Sequence, residues 1–350
     1  MFDALPWRWV PLAAALLLSG CSTLDYYSHL AGGQLQLLQA REPIAELLES
    51  PTADPQFKQR LALAQQARDF ASAQLALPDN DSYRLYADIQ RPFVVWNVFA
   101  TPEFSLSPKL HCFPIAGCVA YRGFYSQGRA RGAAALLKQQ GLDTYLGGVE
   151  AYSTLGWFDD PILNTMLRWS DERLVAVIFH ELAHQQLYVA DDTAFNESFA
   201  SFVEREGLRQ WRAQQGLPPS DIQSERQREQ FAALVLASRA RLQQLYASDL
   251  PTAQMRSGKQ AEFARLRAEY RALREREWGG LGRYDDWINA PMNNAKLLPF
   301  GLYDQWVPAF AALFEQAGRD WPRFYQQVEA LGRLPAAERQ QALAGLSAGT

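Results

Sequence analysis

A run of six apolar residues, Leu174-Val175-Ala176-Val177-Ile178-Phe179, leads directly into His180-Glu181-Leu182-Ala183-His184. Nothing in this stretch breaks a helix. On an α-helix, residues four apart are separated by about 40° around the axis and about 6 Å along it. His180 and His184 therefore leave one face and converge on a single cation, with Glu181 beside them in reach of a water. That pattern is a zinc-binding helix carrying its own general base. Asp171 and Glu172 suit the positive end of the helix dipole at its start, and the apolar run reads as buried, so the imidazoles line an interior cleft. Thirteen residues beyond His184 comes Glu197. The stretch from Phe195 to Glu206 lacks Pro and Gly and is apolar at Phe195, Phe199, Phe202 and Val203. It reads as a second helix, which presents Glu197 as a third ligand. Imidazoles with carboxylates suit one Zn2+ per chain better than Mg2+ or Ca2+, which prefer oxygen shells. Glu204 lies two turns beyond Glu197 on the same face, about 10 Å away, and reads as a support and not a ligand. Asp191, Asp192 and Ser201 are the candidates to orient an imidazole.

The wording His180-Glu181-Leu182-Ala183-His184-Gln185, then Asn196-Glu197-Ser198-Phe199-Ala200, resembles the gluzincin metallopeptidases, in particular the M1-type aminopeptidases with HExxHQ and NEGFA. The spacer before Glu197 is shorter here, and Ser198 stands where that family has Gly. A second resemblance, covering most of the chain, is to a bacterial family of predicted aminopeptidases anchored as lipoproteins. It is carried by Ala151-Tyr152-Ser153-Thr154-Leu155-Gly156-Trp157-Phe158-Asp159-Asp160-Pro161 and by Gly117-Cys118-Val119-Ala120-Tyr121-Arg122-Gly123. These resemblances imply an α+β, mostly helical fold with a zincin-like core, and removal of N-terminal residues from a peptide substrate. In M1-like enzymes a strand before the zinc helix lies along the substrate, and a Glu in Gly-x-Met-Glu binds the free amine. Glu150, in Gly147-Gly148-Val149-Glu150, has a similar place with a looser match; an ordinary strand residue is the other reading. Asp159-Asp160 either caps a following helix or supplies that charge. Tyr303 is the candidate for the tyrosine that donates to the oxyanion in related enzymes.

Residues 1–20 read as a lipoprotein signal peptide: Arg8, an apolar run from Trp9 to Ser19, and the lipobox Leu18-Ser19-Gly20-Cys21. Such a segment is too short for a permanent span. Cleavage before Cys21 puts several acyl chains on that residue, enough for stable anchoring. Ser22 after the cysteine resembles the outer-membrane sorting pattern of Gram-negative bacteria, so the expected place is the cell envelope, facing the periplasm. The chain is 48% apolar with a net charge of −4. That describes a globular protein with a sizeable core and no basic excess for nucleic acid.

The rest divides into an N-terminal helical segment (21–80), a zincin-like catalytic core (81–210) and a helical C-terminal region (211–350). Leu35, Leu38, Ile44, Leu47 and Leu48 give a helical pattern from Leu24 onward, broken at Ser50–Pro55 and resumed from Gln56 to Leu77. Strands are expected at Val94–Phe99, Cys118–Phe124 and Tyr145–Thr154, with a helix at Arg129–Gln140. Cys112 and Cys118, the cysteines other than Cys21, suggest a disulfide in an exported protein; a metal pair of Cys112 with His111 is the alternative. His111 and His29 read as structural or packing residues. In the C-terminal region Gln223–Tyr246 and Lys259–Trp278 form a hairpin (223–278) joined by Ser248–Gly258. Phe231, Leu234, Val235, Leu242 and Leu245 make one stripe on the first helix, and Phe263, Leu266, Tyr270 and Leu273 one on the second, so the hairpin packs apolar face to apolar face. Its charged surface is a solvated face or a partner-binding arm. The aromatic-rich end, Trp287–Leu334, is expected to pack back on the catalytic region. Two other functions remain open: an envelope endopeptidase, and a lipoprotein scaffold with structural zinc. The free Glu181 speaks against the scaffold, which has no use for a base.

Overall fold

A computed structural model describes residues 10–113, 117–151, 153–218, 222–300 and 305–348, with side chains from Thr23 onward except those of Ile222 and Ala348. Tyr303 lies outside the described residues. The first helix, α1 (Val10–Gln39), runs unbroken through Cys21. Leucine periodicity predicts helix past residue 40, but Pro43 lacks an N–H and pushes Glu42 into an extended conformation. The chain therefore makes a short strand, β1 (Arg41–Pro43), before the one-turn α2 (Ile44–Glu49). Helix α3 (Pro55–Leu75) opens on a proline with Asp54 accepting from Phe57 N, and stops where Ala76 turns left-handed at φ 52°.

Two small sheets follow. Strand β2 (Leu85–Ala87) pairs antiparallel with β1. Strand β3 (Val95–Pro102) is the middle of the second sheet. Beyond it, β4 (His111–Phe113) and β5 (Gly117–Val119) make a two-stranded ribbon in which Cys112 and Cys118 face each other and are disulfide-bonded. The single strand expected from Cys118 to Phe124 is thus two, divided at Ala120: β5 turns back on β4, whereas β6 (Tyr121–Phe124) pairs with β3. Helix α4 (Gln127–Gln139), capped by Ser126, crosses to β7 (Leu142–Val149) on the other edge of β3. Val98, Phe124 and Ala130 are buried between the helix and this sheet. Because β7 ends at Val149, Glu150 falls just past the strand that was expected to carry it. Strand β8 (Ile162–Leu163) then adds parallel to β2. Asp160 caps no helix, since this strand follows it; its carboxylate accepts from Thr154 N instead.

The centre of the molecule is a helix pair, α5 (Asp171–Gln186) and α6 (Thr193–Gln214). Ser170 caps the first through Arg173 N, and Asp192 caps the second through Phe195 N. Between them, Asn196 clasps the turn with both ends of its amide, accepting from Val189 N and donating to Val189 O. Gly207 is where α6 crosses its neighbours: a Cβ there would stand 2.7 Å from Leu75 Cδ1 and 2.9 Å from Phe179 Cδ2. Only bare backbone allows that approach.

Helices α7 (Ile222–Tyr246) and α8 (Thr252–Glu277) come next. The second starts before the expected Lys259, because Pro251 sits at its cap, where a proline costs little. Phe231, Val235 and Leu242 share a core with Phe263, Leu266 and Tyr270, and Arg241 bridges Glu262 and Glu269. Short helices α9 (Asp285–Asn289) and α10 (Asn294–Leu297) lead to α11 (Val307–Gln316), α12 (Trp321–Gly332) and α13 (Ala336–Ala348). The aromatic end does pack back: Phe310 lies 5.2 Å from Phe195 and 5.7 Å from Phe199, and Phe324 lies 5.2 Å from Phe202, between ring centroids. Each such ring contributes roughly 1.5–3 kcal/mol by burial, which clamps α6 from the side away from its carboxylates. No helix among the described residues is long and apolar enough to cross a membrane.

Candidate metal centre

Helices α5 and α6 run antiparallel, so one turn of each faces the other. His180 and His184 occupy successive turns of α5 and are nearly buried, at 9% and 8% exposure. From α6, Glu197 places Oε2 3.4 Å from His180 Nε2 and 3.7 Å from His184 Nε2. These three residues form a group whose candidate ligand atoms all lie within 4.8 Å of one another. Tetrahedral zinc with bonds of about 2.0–2.1 Å separates its ligand atoms by roughly 3.3 Å. The donor set and its spacing therefore fit that ion.

Glu204 is on the other side of the His180 ring. His180 Nδ1 donates to Glu204 Oε2 at 2.9 Å, which turns Nε2 toward Glu197. The support read from the sequence for Glu204 is thus the contact observed, and the candidates Asp191, Asp192 and Ser201 are replaced. Asp191 accepts from Cys118 N, tying the disulfide ribbon to the α5–α6 turn. Asp192 caps α6 and pairs with Arg339 on α13. Ser201 is buried and makes no hydrogen bond to either imidazole among the described residues. His184 Nδ1 is buried with no hydrogen-bond partner among the described residues. At Ser198, where the M1 pattern has Gly, the hydroxyl accepts from Trp306 N at 3.1 Å and fixes the approach to α11.

Acids outnumber bases here. Burial opposes the Glu197 carboxylate, but the two imidazoles outweigh it and hold its pKa at about 2. Burial likewise opposes a charged His180, yet Glu197 and Glu204 raise its pKa well above the usual value. Burial raises Glu181, with the imidazoles pulling the other way. A proton on His180 thus stands where a divalent cation would balance the same carboxylates. Sequence reasoning missed two tyrosines. The phenols of Tyr121 and Tyr188 are both raised, first by burial and next by the charge of Glu197. Tyr121 comes from β6 and carries no local signal of its place.

The other predicted residues lie elsewhere. Glu150 is at the amino end of α5, its Oε2 accepting from Trp169 Nε1 at 3.0 Å and from Arg173 Nη2 at 2.7 Å. Arg173 precedes His180 by two turns, roughly 10 Å along the helix, so Glu150 is ion-paired and outside the ligand group. His111 is not in that group either, and Cys112 is committed to Cys118. His29 packs against Phe124 and accepts from Tyr125 N.

Fold and site together define a mostly helical α+β protein whose central helix pair gathers two imidazoles and a carboxylate. The family model described as "Putative aminopeptidase" matches residues 25–343, and the chain belongs to that family. Peptidase function, in this broad sense, follows from membership. No curated protein and no solved structure matches the chain.

Proposed function

We propose that the protein is a zinc-dependent aminopeptidase of gluzincin type. The observation that carries this reading is the convergence of His180, His184 and Glu197 on one point, with Glu181 left outside the ligand group on the same helix. His180, His184 and Glu197 would hold the ion. When bound, zinc supplies Lewis acidity that lowers the pKa of water from 15.7 to about 7 and polarises a carbonyl. Glu181 takes the proton from the attacking water and returns it to the leaving amine. Glu204 keeps His180 in the tautomer that offers Nε2 outward. The phenols of Tyr121 and Tyr188, both kept protonated by burial and by the charge of Glu197, are the proposed donors to the developing oxyanion. Recognition of the free amine by Glu150 requires exchange with Arg173. The proposed setting is the cell envelope, with lipid on Cys21, and rests on the Leu18–Cys21 lipobox alone.

The test is zinc content and hydrolysis of an N-terminal aminoacyl fluorogenic panel, beside Glu181→Gln. One zinc per chain in both proteins, with turnover reduced by about 10²–10⁴-fold in the variant, is expected. Full turnover in Glu181→Gln rejects the base. Cleavage of amine-acetylated peptides in preference to free ones makes the enzyme an endopeptidase, and zinc retention without any hydrolysis makes it a scaffold.

A further inference from the structure

The segment Ser153–Asp160 belongs to no helix or strand, yet it is held in one shape. Thr154 N donates to Asp160 Oδ2 at 2.8 Å, Ser153 Oγ accepts from Leu155 N at 3.0 Å, and Thr154 Oγ1 accepts from Phe158 N at 3.1 Å. Its tip turns through two consecutive left-handed residues, Leu155 at φ 58° and Gly156 at φ 79°. A non-glycine residue pays for that conformation, and such strain persists where surrounding bonds over-determine it. The result is to display two adjacent large aromatics, Trp157 at 65% exposure and Phe158 at 45%. A solvated loop has no use for a rigid support of that kind.

The loop's position gives the display a purpose. A Cβ on Gly156 would stand 3.7 Å from Gln185 Oε1. Gln185 is four residues after Glu181, so the two share a face of α5. The loop therefore borders the helix face that carries the proposed base, one turn beyond it. Asp160, 3% exposed at the other end of the loop, is raised to about 7 by burial; Thr154 opposes the shift and the charge of Glu181 adds to it. The tip of the loop thus rests against α5 one turn beyond Glu181, and Asp160 at its far end feels the charge of that residue.

We propose that Trp157 and Phe158 form a substrate subsite for an apolar or aromatic side chain of the peptide, presented by the strapped loop beside Glu181. This rests on the peptidase reading above. The aromatic faces would take up a side chain next to the bond being cut, so the preference is for leucyl and phenylalanyl over glycyl and alanyl substrates.

Two measurements separate this inference from the peptidase reading. In the first, kcat/KM is compared for phenylalanyl, leucyl and alanyl fluorogenic substrates with wild type, Trp157→Ala and Phe158→Ala. Each variant should lower the phenylalanyl-to-alanyl ratio about tenfold or more, mainly through KM. In the second, Trp157 emission is taken as the difference between Glu181→Gln and Glu181→Gln/Trp157→Phe, so that no turnover is needed. It should shift on addition of phenylalanyl-leucine and not on addition of glycyl-glycine. An unaltered ratio with active enzyme overturns the subsite and leaves the peptidase standing. An emission shift in that difference, beside a wild type that hydrolyses nothing, keeps the subsite and removes the peptidase. Emission that ignores both dipeptides but moves to the blue with phosphatidylglycerol vesicles also overturns the subsite, and makes the tip a membrane contact.

Discussion

Two buried clusters of charge in this molecule look alike on paper and behave differently. In one, Lys259, 4% exposed, donates to Asp143 Oδ2 at 2.6 Å and to Glu103 O at 2.9 Å. Asp143 also accepts from Asn294 N, and the Asn294 amide donates to Glu103 O and Ser105 O while accepting from Tyr246. One positive group meets one negative group, and the neighbouring polar atoms pair off. This cluster joins α8 and α10 to the end of the β3–β7 pair. In the other, Glu181, Glu197 and Glu204 stand against two imidazoles, and His184 Nδ1 has no hydrogen-bond partner among the described residues. A satisfied network holds a structure in register. An acid-rich one has an excess of negative charge that the proposed cation would balance.

The difference is open to attack at four points. The largest effect is expected from Glu197→Ala, which should cut zinc affinity by well over 100-fold, beyond the cost of an outer residue. Zinc content unchanged on dialysis would move the third ligand elsewhere. Next comes Lys259→Met, which takes the cation from the partly buried Asp143 carboxylate and should destabilise by about 2–4 kcal/mol. Urea unfolding reads this, while the folded fraction keeps its zinc; a shift below about 1 kcal/mol would mean the cluster holds nothing.

Asp160 stands between the two cases, a buried acid with no cation beside it among the described residues. Its folded pKa of about 7 lies above its ordinary value of 3.8. Between those values the unfolded chain has released a proton that the folded chain keeps, so stability falls as pH rises from about 4 to 7 and is flat above. Asp160→Asn should remove that slope and be more stable than wild type at pH 8, by roughly 2–4 kcal/mol, with little difference at pH 4. Parallel pH profiles for the two proteins would place the carboxyl in a different environment. The smallest change is Glu204→Gln, which keeps a hydrogen bond to His180 but loses the charge. A 10–100-fold weaker zinc affinity, about 1.4–2.7 kcal/mol, is expected by competition with a chelator; no change would make Glu204 a packing residue.

Much of the centre was legible because its signals are local. Two imidazoles four apart need only a helix to share a face, and the apolar run before them and Asp171 and Glu172 at its start announce that helix. Glu197 was readable for the same reason, from the rhythm of Phe195, Phe199 and Phe202. The misread segments depend on partners. Pro43 makes the chain extended at Arg41–Pro43, but only β2 beside it makes that stretch a strand, and Cys118–Phe124 divides because its two halves pair with different strands. Glu150 had a plausible place in order along the chain, but Arg173 and Trp169 claim its carboxylate.

What the sequence alone determined is that His180 and His184 share a face of one helix with Glu181 beside them and that Glu197 sits on a second helix, since helical periodicity sets which side chains share a face without reference to the rest of the chain. Only the tertiary structure decided that Glu204 and not Asp191 or Asp192 buttresses His180, that Lys259 is answered by Asp143, and that Gly156 rests against Gln185. Each of those contacts joins segments at least twenty residues apart. Its existence depends on how whole elements pack, and no local pattern of residues encodes that.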